Sequence, residues 1–124
     1  MAIDRDTLVR EALNGHGSPS QGPLWPHNWA FDPATPGLSF DPKLAMSQLK
    51  GRAVRGTGAG KRFQFTCLVP ADAVYERIAL AVKRQFAQID VDMVVEEASL
   101  DRLASAISSR TFEAALVEGV GGPW

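Results

Sequence analysis

Phe63–Val120, FQFTCLVPADAVYERIALAVKRQFAQIDVDMVVEEASLDRLASAISSRTFEAALVEGV, decides the fold. Phe63, Phe65, Cys67 and Val69 alternate with Gln64, Thr66 and Leu68, the period-two signature of a strand. Pro70-Ala71-Asp72 breaks that pattern and offers Asp72 as a helix N-cap. Val74, Ile78, Val82, Phe86 and Ile89 follow at helical spacing, with Glu76, Arg77, Lys83 and Arg84 between them. Val91, Met93 and Val95 alternate again, and Ser99 opens a second helix with Leu100, Leu103, Ala104 and Ile107 on one face. Phe112, Ala114 and Leu116 form a third strand. A β-α-β-α-β run with right-handed crossovers gives a parallel sheet. Strand order 2-1-3 is expected, since it places the two crossovers on opposite faces. Ligands of such sheets sit at the carboxyl ends of the strands.

Outward from this core, the remaining sequence divides into four segments of one domain spanning 1–124. Residues 1–14 have a helical pattern, with Ile3, Leu8, Val9, Ala12 and Leu13 roughly on one face and Asn14-Gly15 as the stop. No clear cap precedes Ala2 and Ile3, which suggests a helix beginning in mid-stride and a truncated amino end. Residues 15–40 form an extended loop punctuated by glycine and by Pro19, Pro23, Pro26, Pro33 and Pro36. Its Leu24, Trp25, Trp29, Phe31, Leu38 and Phe40 are too apolar for a solvated linker, so the loop is expected to strap over another surface. Trp25 and Trp29 are expected to anchor it in a core. Residues 41–51 form a helix, with Asp41 as cap, Pro42 at the first helical position and Gly51 as terminator. Residues 52–62 are a glycine-rich connection.

At 124 residues, 45% hydrophobic and 22% charged, the composition is that of one globular domain. A net charge of −1 gives no electrostatic reason to expect a nucleic-acid partner. No apolar run is long enough to span a bilayer, and no basic-then-apolar signal stands at the amino end. That absence fits either a cytoplasmic protein or a piece of a longer one. A single cysteine excludes an internal disulfide, and Cys67, in mid-strand, reads as a small core residue.

Catalytic and cofactor readings fail residue by residue. Gly60-Lys61 has Arg55 and Arg62 where a phosphate loop needs Gly and Ser or Thr, and its helix-then-strand context is reversed. His16 and His27 lack Cys, His or acidic companions at metal-ligand spacing. No serine sits in a nucleophile elbow. Asp92 and Glu96 fall on the outward phase of a strand, and Asp101 in a first helical turn, where it complements the dipole. Neither an enzyme nor a cofactor or metal site is expected. Trp124, after the glycines that follow the third strand, is placed at the carboxyl edge where a cleft belongs.

The residues also carry a family resemblance. Ala2-Ile3-Asp4-Arg5 with Leu8-Val9, then Leu13-Asn14-Gly15-His16-Gly17, resembles the opening of the second lobe in extracellular solute-binding proteins of the peptide/nickel class. Phe40-Asp41-Pro42-Lys43-Leu44-Ala45 is similar to that family's aromatic-Asp-Pro helix start. Arg77-Ile78-Ala79, Ile89, Val91, Leu103 and Phe112-Glu113-Ala114-Ala115 resemble the core that follows. The resemblance covers essentially the whole chain through the order and spacing of these motifs.

The resemblance implies part of a type II periplasmic-binding-protein lobe. It implies a substrate-binding component of an ABC importer, periplasmic or at the cell envelope, that closes two lobes on a peptide or other small solute and delivers it to a membrane permease. Members are much longer than this chain, so a fragment lacking the first lobe is expected, and such a fragment should bind solute weakly or not at all. By position, the turn after the first core strand faces solute: Leu68, Val69, Pro70 and Ala71, with Tyr75 on the next helix. So does the segment after the third strand: Gly119, Val120, Gly121, Gly122 and Pro123. Peptide-binding members carry Gly-Trp and then Ala-Asp in that segment, the acid pairing with the peptide amine. Here the corresponding stretch has Gly119-Val120 and then Gly122-Pro123, so recognition of a free peptide amine does not carry over. The competing reading is a self-contained small α/β interaction or regulatory domain that oligomerises.

Overall fold

The computed structural model describes residues 1–50 and 63–119. The glycine-rich connection, the terminator Gly51 and the segment Val120–Trp124 lie outside the described residues. Seven elements follow in chain order: α1 (Arg5–Ala12), α2 (Pro42–Lys50), β1 (Phe63–Pro70), α3 (Ala73–Ala87), β2 (Val91–Ala98), α4 (Leu100–Ser109) and β3 (Ala114–Ala115).

The three strands form one parallel sheet in the order β2-β1-β3, the order expected from the crossovers. β1 and β2 pair along their whole lengths, from Phe63 against Val91 to Pro70 against Ala98. β3 is shorter than the alternating pattern of Phe112, Ala114 and Leu116 suggests. It pairs through Cys67–Ala114 and Leu68–Ala115, and one further bond runs from the Leu116 N–H to the Leu68 carbonyl at 2.9 Å.

The pleat sends alternate residues of β1 to opposite faces. Cys67 and Val69 join Met93 and Ala79 beneath α3, with Phe65, Tyr75, Val82, Phe86 and Leu116 packed around them. Cys67 is thus a buried core residue, and burial pushes its thiol pKa up, which makes it a poor nucleophile. Leu68 turns to the other face and packs with Ala98, Leu103 and Ala106 under α4. A third cluster, Ala45, Ile89 and Val91 with Met1 and Ala2 packed on it, seats α2 beside the start of β2.

The sequence-placed caps hold at most helix starts. Asp72 accepts from the Val74 N–H at 2.8 Å, Ser99 from Arg102 at 3.2 Å and Asp41 from Leu44 at 2.9 Å. Asn14 and Gly15 both take positive φ, 51° and 79°, just beyond α1, and the Gly15 N–H returns to the Val9 carbonyl.

Three expectations need correction. α1 is capped: Asp4 accepts from the Thr7 N–H at 3.0 Å and from the Thr7 hydroxyl at 2.7 Å, so Ala2 and Ile3 precede the helix. Val74 lies off the sheet-facing stripe and is 39% exposed; Ala79, at 1%, takes the central contact. Trp25 and Trp29 are 62% and 81% exposed and anchor no core among the described residues. Trp25 meets the edge of His27 with ring centroids 4.6 Å apart. The surrounding chain is held by local bonds such as Asn28 Oδ1 to Ala30 N–H and Asp32 Oδ1 to Ala34 N–H, both 2.9 Å.

Candidate functional site

β1 ends at Pro70 and β2 at Ala98, side by side, and each hands the chain to a capped helix. After β3 the chain passes the same edge through Val117 and Glu118. Between these three segments lies an open cleft of about 700 Å³. Pro70, Ala71 and Tyr75 line one side, Ala98 and Ser99 the floor, and Val117 and Glu118 the far rim. The remaining wall is Leu100, Leu103, Ala104 and Ile107 of α4.

That wall is the apolar face that the spacing of Leu100, Leu103, Ala104 and Ile107 predicts, and a core could take it up. The core takes up only part of it: Leu103 is buried, whereas Ile107 is 40% exposed and Leu100 74%. The sheet contact of α4 is made by Leu103 and Ala106 instead. The stripe therefore turns an apolar surface to the cleft, which is the usual character of a small-molecule site.

Charge in the cleft has one sign among the described residues. Its formally charged lining residues are Asp72 and Glu118. The Asp72 carboxylate is engaged in capping α3. Glu118 accepts a 2.6 Å hydrogen bond from the Tyr75 hydroxyl, joining the α3 side of the cleft to the strand-exit side. This bond raises the Tyr75 pKa first, with burial and the negative charges of Glu118 and Asp72 adding to it, so the hydroxyl stays protonated and remains a donor.

Of the residues placed at the site from sequence, Pro70, Ala71 and Tyr75 line the cleft. Val69 is fully buried and offers no surface to a ligand. Leu68 is buried on the α4 face, where it borders a separate hollow with Thr66, Glu96, Arg102 and Glu113. Both follow from the pleat: the last residues of β1 alternate between the two cores, and only the turn beyond them emerges. Gly119 stands past Glu118 with open space around it. Val120, Gly121, Gly122 and Pro123 lie outside the described residues. Sequence reasoning does not place Glu118, Ser99 or the α4 wall at the site: Ser99 reads as a helix cap, and the spacing of the Leu100–Ile107 stripe fits a core as well as a cleft.

Two other hollows are less suited to a solute. In the one on the α4 face, Arg102 is ion-paired with Glu96 and Glu113 accepts from the Thr66 N–H at 2.6 Å, so its charges are spent on the protein. The other, between α2 and the start of the strands, is lined by Met1, Ala45, Phe63, Phe65, Phe86 and their neighbours, at the amino end of the sheet. No group of three or more His, Cys, Asp or Glu is placed to hold a metal among the described residues. No helix among them is long and apolar enough to cross a membrane.

A parallel sheet with helices on both faces and a cleft at its carboxyl edge is the architecture of a type II periplasmic-binding-protein lobe. The chain belongs to the bacterial extracellular solute-binding proteins, family 5, whose middle-region model matches residues 1–124. Members of that family are binding proteins rather than enzymes. Among solved structures the chain is similar to the oligopeptide-binding protein AppA of Bacillus subtilis, in complex with a nonapeptide. The two superpose with a TM-score of 0.72 at 24% identity, over 86% of this chain and 23% of that one. The binding protein AgaA of Agrobacterium tumefaciens R10, in complex with agropinic acid, gives a TM-score of 0.74 at 21% identity over 92% and 23%. CtaP, an ABC-transporter substrate-binding protein of Listeria monocytogenes, gives 0.64 at 18% over 84% and 21%. The chain thus spans less than a quarter of the length of these structures. No curated protein matches the sequence.

Proposed function

We infer that this chain forms part of the substrate-binding component of an ABC importer, acting at the cell envelope. It supplies one wall of a solute site that a second lobe completes. The observation that carries this reading is the cleft at the carboxyl edge of β1 and β2, with the partly exposed α4 stripe as its apolar wall. An apolar stripe left open at that edge is explained by a ligand or a second lobe covering it. Solute binding between two lobes favours the closed form by its differential affinity for that form, and the closed form is what the membrane permease reads. The solute is a peptide or a peptide-like molecule. AppA holds a nonapeptide and AgaA holds agropinic acid, so both sizes of ligand occur on this architecture.

The test is small-angle X-ray scattering of the whole protein with and without a peptide hydrolysate, followed by calorimetry on the active fractions. Contraction together with saturable binding is expected. A radius of gyration unchanged across the hydrolysate and a panel of small organic solutes sinks the reading. The 124 residues alone offer one wall, and their affinity is expected to be at least about a hundredfold weaker than that of the whole protein, because half the contacts are gone.

A further inference from the structure

We propose that Asn14 is a modification site, converted slowly by water to aspartate and isoaspartate through attack of the Gly15 backbone nitrogen, and that the α1 stop sets the rate. The inference stands apart from the solute-binding reading. Three observations carry it. Asn14 is exposed, and the residue after it has no Cβ to shield its backbone nitrogen; a Cβ built at Gly15 meets no atom within 4 Å. The Gly15 N–H is nevertheless tied: it donates to the Val9 carbonyl at 2.9 Å. Asn14 and Gly15 are also the central residues of a tight turn. The His16 N–H closes it on the Leu13 carbonyl at 2.9 Å, and φ values of 51° and 79° are those of a type I′ turn. Nucleophile and target are thus adjacent and solvated, but locked.

The reaction needs nothing but water. The Gly15 nitrogen loses its proton and bonds to Asn14 Cγ; the Cγ–Nδ2 bond breaks, and Nδ2 leaves with that proton as ammonia. The product is a succinimide ring. Water opens the ring at Cγ to give aspartate, or at the main-chain carbonyl to give isoaspartate, whose backbone runs through Cβ and Cγ. Ring closure swings the Gly15 nitrogen over Asn14 Cβ, which the left-handed turn forbids, and it also breaks the bond to Val9. The stop must therefore open first. Either product harms the stop. Aspartate puts a negative charge at the carboxyl end of α1, where the helix dipole opposes it. Isoaspartate lengthens the main chain and carries the Gly15 N–H away from Val9. The chain's other asparagine, Asn28, is the internal control: Trp29 follows it, and its Oδ1 is held by the Ala30 N–H at 2.9 Å.

The test is to incubate the whole protein at mildly alkaline pH in heavy-oxygen water, once folded and once in concentrated urea. Trypsin then releases Glu11–Lys43 as one peptide carrying both asparagines, and fragment mass spectra read each site separately. The heavy oxygen marks conversions made during the incubation. In urea, Asn14 should convert at least about tenfold faster than Asn28, because glycine leaves the attacking nitrogen open and tryptophan crowds it. Folding should slow Asn14 by about tenfold or more, since attack waits for the stop to open. Asp4→Ala, which removes the α1 cap, should speed the folded conversion about two- to fivefold and leave the urea rate unchanged. Gly15→Ala, read in urea where its own folding does not matter, should slow Asn14 several-fold. Converted protein, separated by its added negative charge, should lose hydrogen-exchange protection at the Leu13 and Gly15 amides, both bonded to Val9. No conversion of Asn14 in urea, or conversion no faster than that of Asn28, overturns the site. Equal folded and unfolded rates, or a folded rate indifferent to Asp4→Ala, overturns control by the stop.

Discussion

Gln85 grips the backbone of Asp4 with both ends of its side-chain amide. Its Oε1 accepts from the Asp4 N–H at 2.9 Å and its Nε2 donates to the Asp4 carbonyl at 3.1 Å. The two residues are 81 positions apart, and the pair docks the start of α1 on α3. The Asp4 carbonyl also accepts the first intrahelical bond, from the Leu8 N–H at 3.1 Å, whereas the Asp4 N–H, at the helix start, turns to Gln85. Gln85→Ala removes both bonds and leaves a part-buried N–H unpaired. We expect a loss of about 1–3 kcal/mol by denaturant unfolding of the whole protein. Gln85→Glu retains the acceptor but loses the donor and should fall between. A Gln85→Ala midpoint equal to wild type would show that the dock is ornamental.

The Asp4 cap gives α1 a pH dependence with a definite sign. The Thr7 N–H and then the Thr7 hydroxyl hold the Asp4 carboxyl below its ordinary pKa, against a smaller upward push from burial. A depressed folded pKa means stability that is fully present above the unfolded value, about 3.9, and is lost as pH falls through the folded one. Asp4→Ala should therefore cost about 1 kcal/mol at pH 7. The gap to wild type should stay constant down to about pH 5 and close below about pH 3.9. A gap that widens on acidification contradicts the cap.

Glu113 covers an edge that β3 is too short to cover. β3 pairs with β1 at Cys67 and Leu68 only, and the Thr66 N–H is bonded by the Glu113 carboxylate at 2.6 Å instead. An unpaired strand edge is a site for unwanted pairing between chains. Glu113→Ala should speed hydrogen exchange at the Thr66 amide by roughly tenfold or more while sparing the Cys67 and Leu68 amides, because a single charge-assisted bond is lost. Unchanged exchange at Thr66 would mean that another group protects it.

Much of this molecule is legible in its sequence, and the parts that are not share a physical cause. Strand alternation in β1 and β2, the caps at Asp41, Asp72 and Ser99, and the Asn14-Gly15 stop are local codes, and each stands where the pattern places it. Whether a stripe faces a core or a cleft is decided by what lies opposite it. Leu100, Leu103, Ala104 and Ile107 keep helical spacing in either case, so their wall role shows only once β3 and its exit are placed. Glu118 belongs to no motif; its partner Tyr75 lies 43 residues earlier, and the pair exists only in the folded edge. The cap at Asp4 was masked by Ala2 and Ile3, whose apolar character reads as helix interior. Met1 and Ala2 in fact spend that character on the cluster around Ala45 and Ile89.

The α4 wall yields the sharpest separation of binding from stability. Leu100 is 74% exposed and Ile107 40%, so neither contributes much apolar burial to the lobe by itself. Leu103, one turn between them, is 6% exposed and belongs to the core with Leu68 and Ala98. Leu100→Ser should change unfolding stability by no more than about 0.5 kcal/mol, as exposed substitutions do. Leu103→Ala should cost about 2–4 kcal/mol through lost burial and the cavity it leaves. In solute binding to the whole protein the order reverses in meaning. Leu100→Ser is expected to weaken affinity by about five- to twentyfold, because a solute covering that wall removes most of an exposed leucine side chain from water. Calorimetry and denaturant unfolding on the same samples read both quantities. If Leu100→Ser leaves both affinity and stability unchanged, the solute does not lie against α4, and the cleft at this edge is not where it binds.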